Sequence, residues 1–237
     1  MTQINYLTQA DLAQIDTALN EALTSIQNGT FPWRIEDEDI HMNLERFVTE
    51  RLGILGKKMH YGRSRNDLIA TTLRLFVRDS LKEVKSAAQA FLASNVQQAR
   101  KTIDIIFPGK THLQHAQPMR LAQLFLTYAQ ETKRDIERIH TAQTRAMEYM
   151  PMGGAACTGT PLAIDLSTIA TSLGFRSASI NSYDSVSDRD FILEALQANA
   201  LLATHLSRFC EDMMFESSSA ISLFKLSPNW STGSSIM

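Results

Sequence analysis

The sequence predicts an all-α fold, an elongated bundle of long helices, and three observations carry the prediction. Glycine and proline are both absent from Asp67 to Phe107, from Met119 to Met150 and from Phe175 to Ser227. Inside those gaps apolar residues recur at steps of three, four and seven, the period of an amphipathic helix. No segment alternates apolar and polar residues over several strand lengths.

Taken in order, the segment from about Thr8 to Asn28 reads as a helix that GTFPWR interrupts, and a shorter one follows from about Asp37 to Leu52. The first long helix carries Ile69, Leu73, Phe76, Val77, Val84, Ala88 and Phe91 on its repeat. FPGKTHLQHAQP (107–118) reads as the loop to a second long helix bearing Leu121, Leu124, Phe125, Tyr128, Ile136 and Ile139. PMGGAACTGTP (151–161) follows it. The third helix carries Ile192, Leu193, Leu196, Ala200, Leu206, Phe209, Met213 and Met214, with Ser187 and Asp190 spaced as a capping box at its start. Helices of roughly 30–45 residues span roughly 45–65 Å, more than one compact chain of this size calls for. Their wide apolar faces imply burial against other subunits.

The formal charge of −2 offers no global basic field, which argues against nucleic acid or an acidic membrane as partner. Cys157 and Cys210 are far apart and fit a reducing compartment better than a disulfide framework. No apolar run reaches membrane-span length, and MTQINYLTQADLAQ has no basic-then-apolar leader pattern, so the expectation is a cytoplasmic protein.

Four stretches concentrate the unusual polar residues. GRSRND (62–67) places Arg63, Ser64, Arg65, Asn66 and Asp67 at one helix start. Asn66 or Asp67 alone would cap that helix, and the surplus suits an anion, since carboxylate and phosphate are favoured at a helix N-terminus flanked by arginine. EDEDIHMNLE (36–45) sets His41 behind an acidic run that on its own complements a helix dipole. GKTHLQHAQP (109–118) holds Thr111, His112, Gln114, His115 and Gln117. STGSSIM (231–237) is small and hydroxyl-rich, which by composition alone describes a frayed tail. Glu38-x-x-His41 and Glu137-x-x-His140 share the Glu-x-x-His spacing of di-iron bundles, but the latter sits among Lys133, Arg134, Asp135 and Arg138, a solvated face. Neither metal nor cofactor is expected.

With these four stretches and NSYDSVSDRDFILE (181–194) in this order, the chain resembles the argininosuccinate lyase family of the fumarase/aspartase superfamily, over essentially its whole length. GRSRND separates that family from fumarases and adenylosuccinate lyases. Tyr61 and Leu68 depart from the threonine and glutamine common there. The resemblance implies a longer parent, truncated here at both ends. Family members are about twice this length, start some dozens of residues earlier, and continue past GSSIM into Pro-Gln-Lys-Lys-Asn-Pro and further helices. On that basis residues 1–64 belong to an N-terminal helical domain, 65–237 belong to a central bundle, and a C-terminal domain is absent.

The resemblance also implies the reaction: β-elimination of argininosuccinate to arginine and fumarate, within arginine biosynthesis. It assigns acid–base roles to His112 and Ser234, without settling which is base and which acid. Ser64, Asn66 and Thr111 match positions that hold the substrate, and His41 and Gln114 supporting ones. Arg63 and Arg65 either contribute positive field or pair with Asp67 and the acidic run. The family lysine that would depress the serine pKa falls after the signature, beyond Met237. A homotetramer is implied, each site drawing loops from three subunits. Two other readings stay open: an inactive paralogue or fragment with a structural role, and a related lyase acting on another succinyl adduct.

Overall fold

The structure, a computed structural model, describes residues 6–236; Met237, which ends the STGSSIM stretch, and the first five residues lie outside the described residues. In chain order the elements are α1 (Gln9–Gln27), α2 (Ile40–Leu52), α3 (Ile54–Lys58), α4 (Arg65–Lys101), β1 (Ile106–Thr111), β2 (Gln114–Arg120), α5 (Leu121–Ala146), β3 (Tyr149–Met150), α6 (Leu166–Leu173), β4 (Ser177–Ala178), α7 (Ser182–Ser187) and α8 (Asp190–Ser217). Helices dominate, as the apolar period requires. They group into two compact units, Met1–Phe76 with Ala146–Arg189, and Val77–Arg145 with Asp190–Met237.

The first unit starts from a reciprocal cap. The Thr8 hydroxyl accepts from the Asp11 amide, and the Asp11 carboxylate accepts from the Thr8 amide, fixing the start of α1. Ala18 and Ala22 of α1 pack with Phe31, Phe47 and Val48, so small residues on one helix admit the aromatic ring of the next. A second cluster joins Met147, Met150, Ala170 and Phe175, with Leu75, Leu166 and Ile169 against it. Arg74 crosses this unit, donating to the Ala146 carbonyl at 3.0 Å and pairing with Asp188.

In the second unit α5 and α8 run side by side in an antiparallel register that polar pairs define. Tyr128 donates to Asp212, Arg208 to Glu131, and Arg145 to Glu194, while His205 bonds Asp135. The two residue numbers of each pair add to nearly the same total, as antiparallel helices demand. Glu131 and Asp135 are buried, so sliding by a turn would strand carboxylates inside the unit. Phe209 sits edge-on to both Phe91 and Tyr128, each at 5.0 Å between centroids.

Three details differ from the sequence expectation. The segment 107–118 is not a loop: it forms most of an antiparallel hairpin, β1 with β2. Phe107 is its one buried residue, Pro108 to Lys110 are half-buried and the rest up to Pro118 is exposed, so no apolar alternation marks the strands in the sequence. The register shifts between Pro108 and Lys110, where Gly109 faces the extra residue of β2. A Cβ at Gly109 would lie 2.7 Å from the Gln117 carbonyl oxygen, so only glycine fits. Second, α4 has 37 residues, but α5 and α8 have only 26 and 28. The chain leaves α5 to pair β3 with β4, and the third apolar set, Ile192 to Met214, lies wholly within α8, with the short α7 ahead of it. Third, Ser187 does not cap α8, because its hydroxyl donates back to the carbonyls of Tyr183 and Asp184 in α7. Burial on α8 does not follow side-chain size alone, since Phe191 and Glu216 are also buried there. Ala195, Ala198 and Leu202 of α8 are buried, whereas Leu193, Leu196 and Met214 are 57–67% exposed.

Candidate functional site

The residues singled out from the sequence fall into two groups, one on each unit. On the first unit, Ser64 is the cap of α4: its hydroxyl accepts from the Asn66 amide at 3.2 Å, and Asp67 accepts from the Ser64 amide at 3.1 Å. Asp67 is fully buried, and its other carboxylate oxygen accepts from the amides of Gly153 (3.0 Å) and Ala155 (2.9 Å). One side chain thus ties the start of α4 to the PMGGAACTGTP loop. Gly62, which opens GRSRND, has φ +75, and a Cβ there would run into the Leu162 side chain.

The two arginines of this group have different surroundings. Arg65 donates to Glu38 at 3.1 Å and to Asp39 at 3.3 Å, which hold it to the acidic run ahead of α2. The Glu38 hydrogen bond raises the Arg65 pKa, which keeps the guanidinium charged. Arg63 is half-buried, and its Nε is buried with no hydrogen-bond partner. Burial lowers its pKa while Glu45 and Asp67 oppose the shift. Asn66 is exposed at the helix start. His41 lies in the first turn of α2. Burial, helped by Arg63 and Arg65, pulls its pKa down against the attraction of Asp39. Burial pushes Asp39 up, but the Met42 amide and Arg65 carry it below the usual carboxylate value. The structure therefore brings His41, Arg63 and Arg65 into one electrostatic neighbourhood. A cavity of about 920 Å³ on this unit has Arg65, Lys57, Lys58, His60 and Tyr61 in its wall.

On the second unit, Thr111, His112 and Gln114 occupy the hairpin tip. Thr111 pairs with Gln114 across the strands, leaving His112 and Leu113 as a two-residue turn. Both have positive φ, 51° and 61°, as a type I′ turn requires. All three side chains are exposed. Ser234 lies in the exposed segment after a short turn at Pro228–Trp230, and its hydroxyl accepts from the Ile236 amide at 3.3 Å. Beneath the hairpin is a cavity of about 440 Å³ lined by Thr111, Lys110, Gln117, Asp212 and Glu216. A further groove along α5 and α8, about 470 Å³, contains none of the predicted residues.

Sequence reasoning reads Asp67 as a helix cap and passes over Glu216. Asp67 has a readable signal, the Ser-x-x-Asp spacing of a capping box, but its bonds to Gly153 and Ala155 are tertiary. Glu216 directly follows Met213, Met214 and Phe215 near the end of a helix, and an acid behind that apolar run is its only signal. Among the described residues no group of three or more His, Cys, Asp or Glu is placed to hold a metal ion, and no helix is long and apolar enough to cross a membrane.

The sequence profile of the lyase family matches residues 1–237. The chain is 42% identical to the argininosuccinate lyase of Pelobacter propionicus over 229 residues, 97% of this chain and 50% of that protein. It is 41% identical to the argininosuccinate lyase of Limosilactobacillus fermentum over 237 residues, 100% of this chain and 51% of that protein. The chain thus spans about half the length of the curated relatives it matches. Among solved structures, an EDDS lyase in complex with formate superposes with a TM-score of 0.90 at 25% identity, covering 100% of this chain and 46% of that one.

Proposed function

The chain belongs to the lyase family, and from that premise we propose the function of a carbon–nitrogen lyase that splits argininosuccinate into arginine and fumarate. The observation that carries the reading is identity above 40% to argininosuccinate lyases along nearly the whole chain.

The chemistry explains the residue types. A base removes a proton from the carbon beside a carboxylate, and the electron pair left behind is held as a dianion on that carboxylate. The pair then forms the carbon–carbon double bond as the C–N bond breaks, and an acid returns a proton to the departing guanidinium. The dianion needs cations and N–H donors around it, and the two transfers need positioned proton carriers. Ser64, Asn66 and Thr111 hold the substrate, Arg63 supplies positive field while Arg65 is engaged by Glu38 and Asp39, and His112 and Ser234 carry the protons. His41 and Gln114 support them. His112 is presented at an exposed turn tip, which suits a group that meets a ligand. The exposed Leu193, Leu196 and Met214 support a homotetramer in which long helices cover one another's apolar faces. The cytoplasm is the compartment the composition favours.

A second reading, a related lyase on another succinyl adduct, draws on the structural likeness to the EDDS lyase. Both are tested by following fumarate release from argininosuccinate and from adenylosuccinate, with the complete protein as its cells make it. Release from argininosuccinate alone is expected. Release from adenylosuccinate alone would transfer the assignment to the second reading, and release from neither would overturn both.

A further inference from the structure

The hairpin that presents Thr111 and His112 has little to hold it. Two strands with one buried residue between them are marginal by themselves. Its main polar tether is Lys110, whose Nζ donates to both carboxylate oxygens of Glu216, at 2.6 and 2.5 Å. The pair is close to dry, with side-chain exposures of 13% and 9%. The same ammonium lies 5.4 Å from the Phe107 ring centre and 5.6 Å from that of Phe215, so aromatic faces complete its surroundings.

Glu216 is unusual in its own helix. It occupies the last turn of α8, where the helix dipole disfavours a negative charge and no basic residue of that turn offsets it. Lys110 supplies the missing cation from the hairpin. The Glu216 backbone makes a second connection: its carbonyl accepts from the amides of Leu223 (2.9 Å) and Phe224 (3.0 Å). Phe224 in turn stacks on Phe107 of β1 and Phe125 of α5, at 5.8 and 6.3 Å. One residue therefore fixes the hairpin through its side chain and the turn leading towards the STGSSIM segment through its main chain.

We propose that Glu216 is a positioning residue, which sets the hairpin tip through Lys110 and thereby the placement of Thr111 and His112. The role in turnover rests on the proposed lyase activity; the mechanical tether does not. Because a displacement of about 1 Å at a reacting group can cost as much as a hundredfold in rate, loosening this tether lowers kcat more than it alters KM.

The test uses Glu216→Gln, Lys110→Met and the exchanged pair Lys110→Glu with Glu216→Lys, all in the complete protein. Amide hydrogen exchange is read over residues 106–120 and over α5, and kcat and KM are read from fumarate release. Each single change is expected to speed exchange in the hairpin by about tenfold and leave α5 within about twofold. Each is expected to lower kcat by about tenfold or more, and the exchanged pair to recover both. Should Glu216→Gln fail to fold, Lys110→Met carries the same expectation. Unchanged hairpin exchange in the single variants overturns the tether. Protection restored without turnover in the exchanged pair overturns the positioning role, since the Lys110 charge itself would then be what the reaction needs. A parent protein that releases no fumarate defeats the lyase reading, while the exchange data still decide the tether.

Discussion

The two units each hold a polar loop in place, and they do so by opposite means. In the first, a single buried carboxylate, Asp67, gathers three main-chain amides, from Ser64, Gly153 and Ala155. In the second, the hairpin depends on a side-chain pair, Lys110 with Glu216. A carboxylate bound to amides grips the backbone whatever the neighbouring side chains are. An ion pair grips only while both partners are present, and it leaves the loop beyond it exposed and adjustable. The difference matches the residues each loop displays. Ser64 and Asn66 sit at a fixed helix start, whereas His112 sits on a turn with few contacts of its own.

The largest expected effect separates display from support. In the complete protein, His112→Asn or Ser234→Ala is expected to slow fumarate release by about a hundredfold or more, in line with the loss of a general acid or base. Circular dichroism should show helix content unchanged. Near-normal turnover in either variant would remove that residue from the proposed chemistry.

Next comes the support itself. Asp67→Ala strands three amides in the first unit, at a cost of roughly 3 kcal/mol in folding stability. The denaturation midpoint should fall accordingly, and limited proteolysis should open the 151–161 loop before it touches α5 or α8. A midpoint within the error of the parent's would mean that the two units are fixed less differently than their hydrogen bonds imply.

The smallest effect is a pH dependence confined to the first unit. Burial, with Arg63 and Arg65 beside it, holds the His41 pKa below its ordinary value of 6.5, so the unfolded chain takes up a proton before the folded one does. The stability from neutral His41 is fully present above that value and is lost as pH falls through it towards the lower folded pKa. His41→Gln should therefore flatten the decline in stability as pH falls below about 6.5. An identical slope in the variant would show that His41 is not the group responsible.

The helices are legible because their signal is local and periodic. Thr8 and Asp39 cap α1 and α2 close to where the sequence places those starts. The hairpin is not legible, because its strands are mostly exposed, with Phe107 the one buried residue, and carry Pro108, Gly109 and Pro118, which read as loop residues. The same exposure hides which apolar residues line the core. Leu193 and Leu196 follow the helical period as well as Ala195 and Ala198 do, yet the alanines are buried, since small side chains let helices approach. The candidate residues are visible as polar surplus, but their tethers are not. The Asp67 bonds to Gly153 and Ala155 span 86 and 88 positions, and the Lys110 bond to Glu216 spans 106. No spacing rule reaches that far.

The turn at His112 and Leu113 sets a trap for protein engineers. A stability-guided redesign would rewrite these two positions as Asn-Gly, the pair most at ease with positive φ, and would be rewarded with a firmer hairpin. If His112 carries a proton in the proposed elimination, that improvement would erase the imidazole the hairpin exists to present. A library selected only for thermal tolerance should thus drift towards inert variants at this turn first.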